Sequence, residues 1–440
     1  MHNIRKGVMA AMPVLAALMM AIPAVAAPAS GEEGYTGDGE GFVVTSAELF
    51  APIMAEDVLV AVGAAVLKFS ATGELLWVRN LEQSGLNFMR SAAVTSDGFV
   101  AVGTNIAKYN TSGDRVWEKG LGGSNPATYQ SVAATGDGFA AAGSKGDSAV
   151  VAKYAGNGAL VWEKVFDRPS PNTVATFTHV AAVPDGFVVV GSAYDVIRDG
   201  NRTYHGNLIA IMAKYDLDGS LEWEKVFDSN QTRYFRSLAA VPDGFVTAGG
   251  ANRSAVTMYD NDGAVVWEKK FGGGNDYLNS VAAVPDGIIA VGSAYDPSFG
   301  SGDWAGVREK GSWDATVVKF SFTGDALWGR NFGGAGSDSF ESVAAAPGGF
   351  AASGNMYAKS FGTGDLIGTE SKTEVDTVLV KFDDAGDVEW VHNLGGFDIK
   401  GLLSDILVKI AMMILVLVAL IVAVSLLTWK KRRGAALWGR

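Results

Sequence analysis

The 440-residue chain has no cysteine, 4 histidines, 12 prolines and only 19% charged residues. The missing thiols exclude a disulfide framework, a thiolate metal site, a cysteine nucleophile and a lipid-modified N-terminal cysteine, so the fold must rest on packing. The histidines leave little for imidazole chemistry. His2 lies in the N-terminal segment, His179 and His392 occupy repeated positions described below, and His205 stands in a variable loop. No His-x-x-x-His or related spacing exists, so no metal site is expected. Scarce proline beside 56 glycines, 11 Trp, 12 Tyr and 22 Phe excludes a collagen-like or linker composition and favours short strands joined by tight turns. At 48% hydrophobic residues the chain is too apolar for disorder, and it is long enough for two or three ordinary domains or one large repeat fold.

The two ends read as targeting and anchoring segments. Residues 1–27 combine Arg5 and Lys6, an apolar stretch from Val8 to about Ile22, and the small-residue run Ala24-Val25-Ala26-Ala27, the build of a cleaved signal peptide. Pro13, Pro23 and the shortness of the apolar part argue against a retained anchor there. Residues 406–429 form one apolar segment, free of polar residues from Ile410 to Val424 and followed by Lys430-Lys431-Arg432-Arg433. Some fifteen residues at about −0.3 to −0.6 kcal/mol each outweigh Lys409, whose central cost of about 3 kcal/mol falls near a helix end where it can snorkel. A single transmembrane helix at the cell membrane is expected, with residues 430–440 as a basic cytoplasmic tail and the N-terminal bulk extracytoplasmic. A cleavable sorting signal has a similar outline, but no sorting motif precedes Ile406. All 47 acidic residues precede Ile406; two basic residues leave with the signal peptide and six lie beyond Asp405, so the exported part carries a net charge of −20. Nucleic acid is not expected as a partner for such a surface.

Between the ends, an aromatic residue, three residues, Gly, three residues and Trp recur seven times: Phe69/Gly73/Trp77, Tyr109/Gly113/Trp117, Tyr154/Gly158/Trp162, Tyr215/Gly219/Trp223, Tyr259/Gly263/Trp267, Phe320/Gly324/Trp328 and Phe382/Gly386/Trp390. Two residues beyond each Trp stands Arg79, Lys119, Lys164, Lys225, Lys269, Arg330 or His392, and four beyond stands Leu or Phe, a period of two that means a strand. Each unit holds four strands. In one of them, strand three is Ala255–Tyr259, strand four Ala264–Phe271, strand one Ser280–Val284 and strand two Ile288–Gly292, with the turns Asn261-Asp262-Gly263 and Pro285-Asp286-Gly287 between hairpin strands. Four-stranded units of 40 to 50 residues predict an all-β, seven-bladed β-propeller over residues 49–396, with 28–48 as a lead-in and 397–405 as a linker to the membrane. Small residues in strand one, as in Val132-Ala133-Ala134, suit the crowded axis and place the Trp strand outside. The last Trp unit runs out at Gly396, so Asp57–Gly63 is expected to complete its blade and close the ring.

The aromatic-x3-Gly-x3-Trp unit resembles the Trp-docking repeat of quinoprotein-type (PQQ-like) β-propellers, over residues 49–396. The resemblance implies that each Trp and the Gly four before it lock adjacent blades. The repeat occurs in quinone-dependent dehydrogenases and in cofactor-free propellers, including envelope-assembly scaffolds and cell-surface proteins. This chain has an aromatic eight before Trp where the family usually has Asp, and it lacks the paired cysteines of many of the dehydrogenases, so no cofactor is expected.

Short turns share one propeller face and the variable connections share the other. Three of those connections are long, 193–207, 294–314 and 355–376, and long loops on a rigid scaffold are where binding usually resides. Their aromatic residues Tyr194, Tyr204, Tyr295, Trp304, Trp313 and Tyr357 are the candidate ligand-binding residues. No catalytic residue is singled out, because the repeated Lys and Asp-Gly positions recur around the ring as blade structure does. Asp216-x-Asp218-Gly219 and Asp260-x-Asp262-Gly263 read as turn chemistry rather than calcium loops, since the same turn is made elsewhere with Thr72-Gly73 or Asn157-Gly158. The expected role is a membrane-anchored binding or scaffolding module for an envelope or membrane protein or a surface glycan. The alternative, a hydrolase or quinone-type oxidoreductase at the channel mouth, needs convergent non-repeated carboxylates or a metal there.

Overall fold

The computed structural model describes residues 47–50, 57–62, 65–70, 72–80, 89–121, 126–167, 172–199, 202–227, 235–249, 255–272 and 276–395; for 47–65, 80, 89, 197–199 and 202–207 the backbone alone is described. The signal peptide, linker, membrane segment and tail expected from the sequence lie outside the described residues, among which no helix is long and apolar enough to cross a membrane.

The chain is an all-β propeller. Its strands form four-stranded antiparallel sheets, each in sequential order. The first holds β1 (Ala47–Phe50), β2 (Asp57–Val62), β3 (Ala65–Ser70) and β4 (Leu75–Asn80), and the second β5 (Met89–Thr95), β6 (Gly98–Gly103), β7 (Asn105–Asn110) and β8 (Arg115–Gly120). The third holds β9 (Ala127–Thr135), β10 (Gly138–Lys145), β11 (Ser148–Ala155) and β12 (Leu160–Val165), and the fourth β13 (Thr173–Val183), β14 (Gly186–Asp199), β15 (Arg202–Asp216) and β16 (Leu221–Val226). The fifth comprises β17 (Phe235–Val241), β18 (Gly244–Gly249), β19 (Ala255–Tyr259) and β20 (Val265–Lys270). The sixth comprises β21 (Tyr277–Val284), β22 (Gly287–Tyr295), β23 (Trp313–Phe320) and β24 (Ala326–Phe332), and the seventh β25 (Asp338–Ala346), β26 (Gly349–Tyr357), β27 (Val375–Asp383) and β28 (Val388–Gly395). Six of these sheets, the second to the seventh, are described with side chains on all four strands, whereas the two inner strands of the first are described in backbone only.

Burial explains the strand compositions. The second strand of a sheet is covered on both faces by neighbouring blades and is buried throughout, as in β6 and β18, so it reads as a continuous run of small and apolar residues such as Gly-Phe-Val-Ala-Val-Gly. The first strands of neighbouring blades pack against one another around the axis, and the Trp strands lie outermost and half exposed, as in β8 and β12. The core therefore sits between sheets, one cluster per seam; Val100, Ile106 and Phe139, for example, meet between the second and third.

The Trp and Gly of the repeat are the lock between blades. Each Gly holds a left-handed φ, 75° at Gly158, and a Cβ there would stand 2.8 Å from the Trp117 ring of the preceding blade. The same contact joins Trp77 to Gly113, Trp162 to Gly219, Trp223 to Gly263, Trp267 to Gly324, Trp328 to Gly386 and Trp390 to Gly73. Indole N–H groups donate across these seams, Trp223 to the Asn261 carbonyl at 2.9 Å and Trp267 to that of Phe322 at 3.0 Å. The basic residue two beyond Trp is structural too. The Arg330 guanidinium lies 5.5 Å from the Trp328 ring centroid and donates to the Gly386 carbonyl at 3.0 Å, and Arg79 donates to Ser112 at 2.9 Å.

One expectation is overturned. The termini do not share a blade, because β2 pairs with β1 and β3, while β27 pairs with β26 and β28. The inner strand of the first sheet is supplied by β1, which begins at Ala47 inside the expected lead-in; its Ala-Glu-Leu-Phe lacks the Ala-Ala pair that marks the other inner strands. Closure is by side-chain docking. Leu67 and Phe69 of the first sheet pack with Leu379, Trp390 and Leu394 of the seventh, and His392 Nε2 hydrogen-bonds the Gly73 carbonyl.

Candidate functional site

The long connections differ from the expected loops. Residues 193–207 are largely a hairpin that prolongs β14 and β15, paired from Val196↔His205 to Asp199↔Arg202. Tyr194 sits half buried within that sheet, and the Tyr204 side chain lies outside the described residues. The other two connections each carry two 3-10 turns, at Asp296–Ser298 and Gly302–Trp304, and at Ala358–Ser360 and Gly364–Leu366. They share the pattern Tyr-x-x-Ser-Phe-Gly-Ser/Thr-Gly-Asp at Tyr295–Asp303 and Tyr357–Asp365.

These two inserts fold down over the seams between their own blades and the preceding ones. Trp304 is 1% exposed, packs edge-on against Phe271 at 4.8 Å and donates from Nε1 to Asp276 Oδ2 at 3.1 Å. Its assignment as a ligand-binding residue is therefore corrected: it is core, as is the buried Leu366 at the matching place in the second insert. Asp314 and Asp376 are equivalent buried braces, accepting the backbone N–H groups of Lys310 and Gly311 and of Lys372 and Thr373 respectively. Asp338 accepts from Ser360 Oγ at 2.6 Å and Gly334 N at 2.8 Å, and burial lifts its carboxyl to about 7. Tyr357 remains exposed at the surface.

The remaining candidates do converge. Tyr295 and Trp313 are cross-strand partners in β22 and β23, with ring centroids 5.1 Å apart, and Tyr277 of the inner strand β21 lies 5.5 Å from Trp313 on the other side. All three are half buried, forming an aromatic strip that runs from the innermost strand outward along the long-connection face of the sixth blade. Arg236, exposed on the inner strand β17 of the preceding blade, places its guanidinium carbon 6.0 Å from the Tyr277 ring centroid.

Arg236 belongs to a set that sequence reasoning missed. Each inner strand from β5 to β25 carries a β-bulge near its long-connection end, where the register against the second strand slips by one residue. The extra residues are Arg90, Gln130, Thr178, Arg236, Asn279 and Glu341. Opposite stand Gly103, Gly143, Gly191, Gly249, Gly292 and Gly354, and a Cβ on Gly292 would lie 1.8 Å from the Tyr277 carbonyl oxygen, so the bulge closes only over glycine. The residues on either side are committed to structure. From the third blade to the seventh, Leu278 or an aromatic precedes the bulge and is buried between blades, and the following Ser accepts an N–H from the next inner strand, Ser237 from Val281 and Ser280 from Val343. His179 takes that Ser position, and burial holds its imidazole down at about 4. The bulged residues themselves reach sideways around the axis. Arg90 donates to Gln130 Oε1 at 3.1 Å, Arg236 to Asn279 Oδ1 at 2.9 Å, and Asn279 Nδ2 to the Phe340 carbonyl at 2.9 Å. The result is a polar collar at the long-connection mouth of the axial channel, with two guanidiniums facing solvent.

The repeated charges elsewhere are structural. Buried Lys153 pairs with Asp137 of the short turn at 2.9 Å, as Lys214 does with Asp185 and Lys319 with Asp286, both at 2.7 Å. Asp216 Oδ1 accepts the N–H groups of Asp218 and Ser220, and Asp260 those of Asp262 and Ala264, the self-capped turn expected from the sequence. Among the described residues no group of three or more His, Asp or Glu could hold a metal ion. A cavity of about 450 Å³ opens between the second and third blades, where Leu121 stands in place of the bulkier Phe166 or Phe271 of other blades. It is lined by the ion pair Lys145–Glu163 and by Tyr129 and Tyr154, whose hydroxyls bond each other at 2.8 Å and whose pKa values burial pushes up.

Comparison with known proteins finds partial similarities. The family described as outer membrane protein assembly factor BamB matches residues 102–287. No curated protein matches the chain. Among solved structures, the Pan2 WD40 domain of Neurospora crassa is similar at 10% identity and a TM-score of 0.47, covering 70% of this chain and 85% of that one. A protein of unknown function from Bacteroides caccae is similar at 14% identity and a TM-score of 0.35, over 67% of this chain and 92% of that one. The fold is a β-propeller of repeated blades, and its repeat is similar to the PQQ-like repeat over residues 102–287.

Proposed function

We propose that the chain is an exported, seven-bladed propeller anchored in the cell membrane by residues 406–429, acting as a binding or scaffolding module through its long-connection face. The observation that carries this reading is the concentration on that one face of both folded inserts, the aromatic strip and the polar collar, while the short-turn face offers repeated lysine–aspartate pairs that hold hairpins together. The strand β28 ends at Gly395 on the same face, and the linker 397–405 spans at most about 30 Å. The face is thereby kept close to the membrane, which favours an envelope or membrane protein as partner. The matched family's description, an outer membrane assembly factor, points to the same class of role.

A cysteine-free chain makes the topology simple to test, because any introduced cysteine is the only thiol. Thr323→Cys, on the short-turn face, should react with an impermeant maleimide in intact cells, and Ala435→Cys in the tail only after permeabilisation; the reverse pattern overturns the anchored reading. Partner capture is tested with Ile367→Arg, since Ile367 is 74% exposed on the second insert. Loss of crosslinked membrane protein is expected, and unchanged capture from both this variant and Tyr357→Ala counts against the face. Deleting the first insert is the wrong test, because it removes Trp304 from the core.

A further inference from the structure

Building on the proposed binding role, we infer that the collar and the aromatic strip form one site for an acidic saccharide, a pyranose chain bearing carboxylates. The bulge is the starting point. It adds one residue per inner strand at the long-connection end of the sheet, a use of bulges common beside binding sites. These residues differ from blade to blade, yet every one is polar: Arg90 and Arg236 are exposed, Gln130 is half buried, and the buried Asn279 holds Arg236 through Oδ1 and the Phe340 carbonyl through Nδ2. Planar amides and guanidiniums bond two adjacent hydroxyl or carboxylate oxygens at once, which is the geometry a sugar ring presents.

The exported part is acidic overall, so it is the local charge of the collar, with shape, that narrows the class. Arg236 and Arg90 are exposed on the collar, and a guanidinium fork fits a carboxylate in bidentate fashion. Beside Arg236, the Tyr277 and Trp313 rings offer half-buried aromatic faces on which the apolar C–H face of a pyranose can lie. An extended acidic peptide is disfavoured. Peptides usually add to a flat sheet edge through backbone hydrogen bonds, and the bulges interrupt that edge on six inner strands. Glu341 opposes the guanidiniums on the same collar, bonded to Ser339 at 2.6 Å, and limits affinity for an anion.

The test uses the detergent-solubilised full chain and three probes by titration calorimetry: tetragalacturonate, its uncharged methyl ester, and tetraglutamate. Tetragalacturonate should bind, and the ester and the peptide should each bind about tenfold more weakly or worse, the loss of one good charged or stacking contact. Arg236→Gln and Trp313→Ala should each weaken tetragalacturonate by about tenfold with the melting transition of Arg236→Gln unchanged, whereas Glu341→Gln should tighten it about two- to fivefold. Equal binding of the ester, equal or tighter binding of tetraglutamate, no response to Arg236→Gln, or no binding of tetragalacturonate at all would each overturn the assignment. Membrane-protein capture measured on the same variants separates the two readings: lost saccharide binding with capture intact removes only the saccharide.

Discussion

Ring closure without strand exchange makes a quantitative prediction at Gly73 and Trp390. Gly73 has φ 83°, and a Cβ there would meet Trp390 Cγ and Cδ2 at 3.0 Å and His392 Nε2 at 3.1 Å. Gly73→Ala therefore carries two costs, about 1–2 kcal/mol for an L-residue in the left-handed region and a further 1–2 kcal/mol for the indole it displaces. Trp390→Ala removes a half-buried indole from the cluster of Phe69, Leu379 and Leu394, worth about 2–3 kcal/mol against the 3–5 typical of full burial. The double variant should lose less than the sum, because alanine 73 has no indole left to displace. The coupling is about 1–2 kcal/mol. Denaturant titrations of the two single variants, the double variant and the parent measure it, with Gly158 and Trp117 as a matched pair inside the chain, where the Cβ contact is 2.8 Å. If Gly158/Trp117 couples while Gly73/Trp390 adds to within about 0.5 kcal/mol, the seventh sheet is not docked on the first and the closed ring is wrong.

Two desolvated titrating groups, half-buried His179 and buried Asp338, give pH dependences of opposite sign. His179 is held down at about 4 from an ordinary 6.5, so its contribution is complete above pH 6.5 and is lost as pH falls toward 4; His179→Ser should be about 1–2 kcal/mol more stable than the parent at pH 5 and similar at pH 8, and parallel profiles would contradict this. Asp338 is raised from 3.8 to about 7, so its contribution is complete below pH 3.8 and is lost as pH rises through 7; the parent should lose about 1–2 kcal/mol between pH 5 and 7 that Asp338→Asn does not. Trp304→Ala should cost about 3–5 kcal/mol, and Tyr357→Ala, on the exposed start of the second insert, less than about 0.5 kcal/mol; equal melting temperatures would refute the inward fold of the first insert.

How much of this was legible follows from which constraints are local. Phe320, Gly324 and Trp328 sit on one hairpin, so their spacing is a covalent record of the turn, and the fixed Gly records the Trp that covers it from the preceding blade. The strand β1 has no such record, because four residues carry too little pattern and the neighbouring strands β25 and β26 come from the other end of the sequence. Trp304 misled because an aromatic in a long connection resembles a ligand contact. Aligning the two inserts shows Leu366 at its place, and a position that alternates between Trp and Leu is an apolar anchor.

The collar was hidden for a different reason. Strict alternation along Phe235-Arg236-Ser237-Leu238 puts Arg236 on the same face as Leu238, a charge beside a core residue, and only the extra residue of a bulge resolves the conflict. The signal was present as a column: buried anchor, variable polar residue, serine, at 235–237, 278–280 and 340–342. That arrangement loosens the tie between chemistry and stability at the exposed bulged arginines, Arg90 and Arg236, while the flanking residues carry the seam. The separation is measurable. Arg236→Gln should leave the unfolding free energy within about 0.5 kcal/mol of the parent, whereas Ser237→Ala, which strips the acceptor from the Val281 N–H at 3.2 Å, should cost about 1–3 kcal/mol as a buried donor loses its partner. A larger loss from Arg236→Gln than from Ser237→Ala would mean that the collar is part of the blade lock, and its residues would then have no freedom to serve a ligand.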